Sequence, residues 1–127
     1  MIIGLGIDIV DVERLGASVR HYGDRFIRRI FTDNELSLSH NHGNSLKLYA
    51  SGFACKEAAM KALGTGWTEP IDWRHFEILY DATGMPDLRL HGSAANLAVA
   101  LGVVRCWACT ASTPRYSVAQ VVLEGEP

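Results

Sequence analysis

Three side chains with the chemistry to handle a phosphate group stand out in this sequence: Asp8, Glu57 and Lys61. Asp8 sits in the apolar run MIIGLGIDIV, which reads as a strand over residues 2–10. Its same-face neighbours are Gly6 and Gly4, and glycine inside a strand lets a ligand or another backbone come close. The competing reading is an aspartate facing water at a strand end, with the glycines serving a bulge. At about 100° per residue, Glu57 falls inside a narrow apolar stripe of Leu46, Tyr49, Ala50, Phe53 and Met60. A carboxylate on that side is costly unless a cation or several donors compensate it. A plain surface pair with Lys61, four residues on, is available but does not explain the placement. Lys61 borders the same side and precedes Gly64, Thr65 and Gly66, whose backbone amides beside a lysine suggest a phosphate site. This is not a P-loop, because those glycines follow the helix instead of preceding one. Two carboxylates and a lysine suit a magnesium ion bound to phosphate.

Other reactive residues carry weaker signals. Cys106 and Cys109 form a C-x-x-C, but in a strand-like run positions three apart face opposite sides, and no second pair completes a zinc site. Core filling is the expectation for them. His40 and His42 form a His-x-His in a loop with no third ligand nearby and read as surface histidines. Arg14, Arg20, Arg25, Arg28 and Arg29 crowd into sixteen positions with only Asp24 as a counter-charge. That cluster is a solvated helical face or a docking surface for an acidic partner.

The elements that must position these groups follow from periodicity and punctuation. After the first strand, helices are expected over 12–22 and 24–30, broken near Gly23. Thr32 to Glu35 matches a capping box and starts a short helix; 40–45 is a loop. The longest helix spans 46–63, closed by Gly64 as a left-handed cap. Strands at 75–80 and 87–91 flank a turn at 81–84, and Ser93 should cap an alanine-rich helix to Leu101. Strands at 104–111 and 116–124 finish the chain around a turn at 113–115. Helices mixed with antiparallel strand pairs in this order make an α+β fold, one domain over residues 1–127. The first strand should be buried, with Ile3, Leu5, Ile7 and Ile9 filling one face and Gly4, Gly6, Asp8 and Val10 taking the other.

Composition sets the outer bounds. With 48% hydrophobic and 20% charged residues, the chain is an ordinary globular domain. A net charge of −2 gives no global electrostatic argument for nucleic acid or an anionic membrane as partner, and neither is expected. The apolar start is short, lacks a positive leader and carries Asp8, so neither a signal peptide nor a membrane span is expected, and the expected location is cytoplasmic.

Taken together, these motifs resemble one family. Gly6–Ile9 (G-x-D-I) and Phe53–Gly66, with K-E-A-x-x-K-A inside it, are similar to motifs of holo-acyl-carrier-protein synthases, small 4′-phosphopantetheinyl transferases. The order continues through Phe76–Glu77–Ile78, the G-x-P of Gly84–Pro86, and a last strand with Tyr116 and Ala119–Gln120–Val121–Val122. The resemblance covers essentially the whole chain. It implies a homotrimer of α+β subunits with coenzyme A in clefts between neighbours. It further implies that Asp8 and Glu57 ligate magnesium, that Lys61 contacts phosphate, and that Phe53, Gly64, Thr65, Gly66 and Pro86 surround the coenzyme. The implied partner is acyl carrier protein, docking on Arg14, Arg20 and Arg25. A serine hydroxyl of that partner would attack the β-phosphate, releasing adenosine 3′,5′-bisphosphate, with Glu57, Asp33 or a metal-bound water as proton acceptor.

The chain departs from the family pattern at Gly52, Met85 and Ser112, where an arginine, a lysine and a histidine are usual. Lys47 and Arg74 are the candidates to anchor the coenzyme's 3′-phosphate instead. Two alternatives follow: a relative that binds carrier or coenzyme without transfer, and a divalent-metal phosphohydrolase built on the same acids and lysine.

Overall fold

The computed structural model describes residues 1–40, 43–66 and 68–127. The first strand, β1 (Ile2–Asp11), leads directly into α1 (Val12–Tyr22), because the Asp11 carboxylate caps that helix by accepting from the amides of Glu13 and Arg14. Gly23, at φ 67°, turns the chain into α2 (Asp24–Ile30). The capping box forms as expected. Thr32 Oγ1 accepts from the Glu35 amide at 3.2 Å, Glu35 Oε1 accepts from the Thr32 amide at 2.8 Å, and α3 (Asp33–His40) follows. Next comes α4 (Ser45–Leu63), capped by Asn44 and ended by Gly64 at φ 79°.

A short 3-10 turn at Trp73–His75 leads into the hairpin of β2 (Phe76–Tyr80) and β3 (Pro86–Leu90). Its turn is built on Asp81, whose carboxylate accepts from the amides of Thr83 and Met85. Helix α5 (Gly92–Ala100) starts at His91 with no side-chain cap, so the cap expected of Ser93 is not made. The chain ends with β4 (Val103–Ser112) and β5 (Tyr116–Gly125). Strands β1, β5 and β4 form an antiparallel sheet with β5 in the centre. Among the described residues no helix is long and apolar enough to cross a membrane.

Helix α4 lies along the inner face of this sheet, on top of the glycines. A Cβ added at Gly6 would sit 1.8 Å from the Ala58 carbonyl oxygen, and one at Gly4 would sit 2.1 Å from that of Ala62. Backbone therefore rests on backbone, and a row of small residues (Ala50, Ala54, Ala58, Ala62) makes the helix side of the contact. The neighbours these glycines admit are helical carbonyls. Val10, Ala119, Val121 and Leu123 complete the inner face.

The burial expected for the isoleucine row of β1 is not found. Leu5, Ile7 and Ile9 are about 60% exposed on the outer face, while Gly6 and Val10 are buried. Ile3 alone of that row turns inward against the core, next to a register shift between Ile2 and Gly4. The outer face continues across the sheet in three cross-strand rows: Leu5–Val122–Trp107, Ile7–Gln120–Cys109 and Ile9–Val118–Ala111. Cys106 and Cys109 do face opposite sides, but only Cys106 packs on the core, and Cys109 lies on the exposed outer face. Cys55 is fully buried, and burial pushes its thiol up to about 12, which leaves it inert at neutral pH.

Candidate functional site

The close contact of β1 and α4 brings the three chemistry-bearing residues together. Asp8 is the next inward position along β1 after Gly6, at the end of the glycine row. Lys61 reaches across from α4: its Nζ donates to Asp8 Oδ1 at 3.0 Å and to the Ile7 carbonyl oxygen at 3.0 Å. Glu57, half-buried one helical turn before Lys61, feels the same charges. Burial raises its carboxyl above the usual range, the Asp8 carboxylate raises it further, and Lys61 opposes both. Two hard carboxylates and one ammonium thus share one electrostatic neighbourhood across fifty positions of sequence.

The apolar stripe that singled out Glu57 needs correction. Leu46, Tyr49 and Phe53 are only partly buried, and with Glu57 they form the margin of α4, whereas the helix is closed in on most sides from Ala50 to Leu63. The charge directed into the core is Lys56, which is fully buried. Its ammonium lies 2.7 Å from Glu35 Oε1, 3.1 Å from the Trp73 carbonyl oxygen, and against the Phe76 carbonyl oxygen and the Phe31 ring. Burial pulls the Lys56 ammonium below the ordinary lysine range, with Glu35 holding it up. Glu35 uses its second oxygen to accept the Ile78 amide at 3.0 Å, so one buried pair joins α3, α4 and β2.

Asp8 also opens onto a cleft of about 370 Å³ lined by Val10, Asp11, Arg14, Leu15, Phe26 and Phe53 among others. Phe53 forms one wall, held by stacking on Trp73 at a 5.0 Å centroid distance. Arg14 therefore overlooks the acidic site. Arg25 lies with Tyr22, Phe26 and Arg29 around a smaller, adjoining depression of about 200 Å³, with Phe26 shared between the two. Arg20 packs on the same helix, its guanidinium close to Gly16.

Other expected residues lie elsewhere. Asp33 is almost fully exposed, pairs with Arg74 at 3.5 Å, and lines a separate depression with Arg28, Ser37 and His40, away from Asp8. Of the His-x-His pair, His40 lies at that exposed depression and His42 falls outside the described residues. The amides of Gly64 and Thr65 close the helix on the carbonyls of Lys61 and Met60, so they are not open phosphate donors. What the loop offers instead is a surface almost free of side chains, with Gly66 at φ 59°. Pro86 starts β3 in the hairpin and, like residues 64–66, is not part of the Asp8 cleft lining.

Two of the three departures from the family pattern, Gly52 and Ser112, are built into the packing. A Cβ at Gly52 would stand 3.0 Å from the Phe31 ring, so that ring takes the space a side chain would enter. Ser112 belongs to a hydroxyl cluster, 2.9 Å from Ser117 Oγ and 3.3 Å from Ser51 Oγ, beside a depression that Lys47, Tyr80 and Thr110 also line. Met85 is exposed at the hairpin turn.

Among the described residues no group of three or more His, Cys, Asp or Glu forms a metal cage. The donor set at Asp8 and Glu57 instead fits magnesium, which takes one or two carboxylates and fills its other positions with water and substrate phosphate.

The chain is similar to known proteins in both sequence and fold. A sequence model of the 4′-phosphopantetheinyl transferase superfamily matches residues 4–121. The holo-[acyl-carrier-protein] synthase of Solibacter usitatus is 43% identical over 124 residues, covering 98% of this chain and 99% of that protein. The crystal structure of the Neisseria meningitidis holo-[acyl-carrier-protein] synthase superposes with a TM-score of 0.91 at 31% identity, covering 98% of this chain and 99% of that one. The Bacillus anthracis synthase, solved in complex with coenzyme A (3′,5′-ADP), gives a TM-score of 0.82 at 30% identity, with 99% of each chain covered.

Proposed function

The chain belongs to the 4′-phosphopantetheinyl transferase superfamily as one of its holo-acyl-carrier-protein synthases, and from that premise we propose that Asp8, Glu57 and Lys61 form its phosphoryl-transfer centre. The observation that carries this is the convergence of the three side chains where α4 rests on the glycines of β1. The reaction is attack of a carrier-protein serine on the β-phosphate of coenzyme A, with adenosine 3′,5′-bisphosphate leaving. Asp8 and Glu57 would hold a magnesium ion, which when bound supplies divalent charge against the diphosphate oxygens. Lys61 stabilises the negative charge that grows on the leaving phosphate. Phe53 and the floor of the cleft exclude water on one side of the reacting groups. Asp33, exposed and paired with Arg74 at a separate depression, is poorly placed to take the serine proton, which leaves Glu57 or a metal-bound water for that role.

The same reading extends to assembly and partner. The outer face of the sheet exposes Leu5, Ile7, Ile9 and Trp107 around Gln120, which supports a homotrimer that covers them, since monomers rarely expose a large apolar patch. Residues 64–66 and Pro86 lie outside the lining of one subunit's Asp8 cleft, which supports a coenzyme site completed by a neighbour. Lys47, which lines one depression with Ser112, and Arg74, which pairs at the surface with Asp33, are the candidates to meet a 3′-phosphate. Arg14 and Arg25, flanking the cleft and its annexe, suit the acidic surface of acyl carrier protein.

The direct test is incubation with apo carrier protein, coenzyme A and magnesium, followed by mass spectrometry. The carrier should gain one phosphopantetheine arm, and no gain across several carriers would defeat the proposal. A second reading, binding without transfer, is favoured by the Phe31 ring standing against Gly52, which removes a cationic contact usual in the family. Calorimetric binding of coenzyme A and carrier with no mass gain would select it.

A further inference from the structure

Lys61 has two roles that compete with one another, counter-ion of Asp8 and contact for phosphate. Its ammonium holds Asp8 Oδ1 and the Ile7 carbonyl oxygen, each at 3.0 Å, and so stands as the counter-ion of the acidic site. A divalent cation on Asp8 would compete for that same carboxylate and would meet a full positive charge a few ångströms away. Even in a water-like dielectric, repulsion at that spacing weakens ion binding by about tenfold. The two partners also differ in freedom. Lys61 is 52% exposed on a flexible stem, whereas Asp8 is only 18% exposed and anchored in the sheet. The lysine is therefore the member that can leave. A diphosphate offers its ammonium a second anionic partner close by.

We propose that Lys61 is an intramolecular competitor for the cation: it keeps the free site at low metal affinity, and the substrate diphosphate draws it off Asp8, so that metal and diphosphate load together. The inference rests on the metal reading of Asp8 and Glu57 above and adds an order to it. A site whose Asp8 is already paired with its own lysine does not hold a metal idly; it takes one when phosphate arrives to receive the lysine. Linkage makes the effect reciprocal, since whatever releases Lys61 tightens the metal and the metal in turn releases Lys61 for phosphate.

The test is a titration of the free protein with Mn²⁺, without coenzyme A, followed by calorimetry and by loss of the free-ion paramagnetic signal. Wild type is compared with K61M and K61Q, which remove the charge at a half-exposed position, with K61R, which keeps it, and with D8N. K61M and K61Q should bind Mn²⁺ about tenfold tighter than wild type, K61R should match wild type, and D8N should bind more weakly. The tightening should shrink as salt is raised. Affinities of K61M and K61Q equal to or weaker than wild type would overturn the competitor role, while a weakened D8N would still uphold the metal site. Equal binding by wild type and D8N would remove the metal site itself, and the competitor role with it.

Discussion

Lys56 and Glu35 form a fully desolvated ion pair at 2.7 Å, one residue along the helix from Glu57. Buried pairs of this kind gain little over apolar residues of equal volume, but breaking one strands the other charge. Lys56→Met should therefore cost about 3–5 kcal/mol of unfolding free energy, read from urea titrations. The double variant Lys56→Met/Glu35→Leu should regain part of that loss, because neither charge is then left alone. A loss in the single variant below about 1 kcal/mol would mean that the pair does not hold α3, α4 and β2 together.

The contact of β1 and α4 gives a sharper structural test. In Gly6→Ala the added methyl would stand 1.8 Å from the Ala58 carbonyl oxygen, and neither backbone can rotate away. The helix must lift, which separates Asp8 from Lys61. We expect a loss of at least about 3 kcal/mol, the upper end for overpacking, together with loss of transfer. Gly43→Ala, where a Cβ meets nothing within 4 Å, is the control and should stay within about 0.5 kcal/mol of wild type.

These two contacts show what was legible in the sequence. Most element boundaries follow from caps, turns and periodicity to within a residue or two: Gly23, the Thr32–Glu35 box, Gly64 and the turn at 81–84 all stand where expected. The face of β1 was not legible, because an isoleucine row competes well for the core on hydrophobicity alone. What decides it is shape: only the glycine row admits a helix backbone, and the partner signal was the alanine row at 50, 54, 58 and 62. The same row would have turned α4 so that Lys56, not Glu57, points inward. Pairing between Lys56 and Glu35 carries no local pattern, as the residues lie twenty-one positions apart on different helices.

Glu57 couples stability to function with a definite sign. Its folded-state carboxyl is raised by burial and by Asp8, so the native protein binds that proton more readily than the unfolded chain. Ionised Glu57 thus costs stability at neutral pH, and the cost fades as pH falls through the raised value toward that of an ordinary glutamate. Glu57→Gln should be more stable than wild type at neutral pH, by at most about 1 kcal/mol after solvent screening. That advantage should vanish in acid, while transfer is lost at every pH. Thermal melts across a pH series, paired with transfer assays, check both halves, and a neutral-pH destabilisation would contradict the electrostatic account.

The outer face of the sheet should be where subunits meet. Ile7 and Trp107 are 60% and 51% exposed in the single chain and lie on adjoining cross-strand rows. Burying such side chains against a neighbour contributes about 1.5–3 kcal/mol each, and a carboxylate there reverses the sign. Ile7→Asp and Trp107→Glu should shift sedimentation from trimer to monomer and lower coenzyme A affinity together, if neighbours complete the coenzyme cleft. The free thiol of Cys109, on the same face, should react with alkylating reagents much faster in those variants than in wild type.

The arginines of α1 and α2 make the last case, because charge at a docking surface acts on encounter more than on chemistry. Arg25 and Arg29 surround an apolar annexe formed by Tyr22 and Phe26, and Phe26 also lines the Asp8 cleft. An acidic helix laid across them would seat an apolar side chain in the annexe and present its serine toward Asp8. Arg25→Glu should then raise KM for the carrier by about tenfold, the effect of one unfavourable charge pair, and leave kcat and KM for coenzyme A close to wild type. Because the term is electrostatic and exposed, the gap between variant and wild type should narrow as salt rises past the point where the Debye length falls below about 8 Å. Tyr22→Ala should behave differently: its loss of carrier affinity comes from buried apolar area and should persist at high salt. If Arg25→Glu leaves carrier KM unchanged at low salt, the carrier docks elsewhere and the cluster is only a solvated helical face.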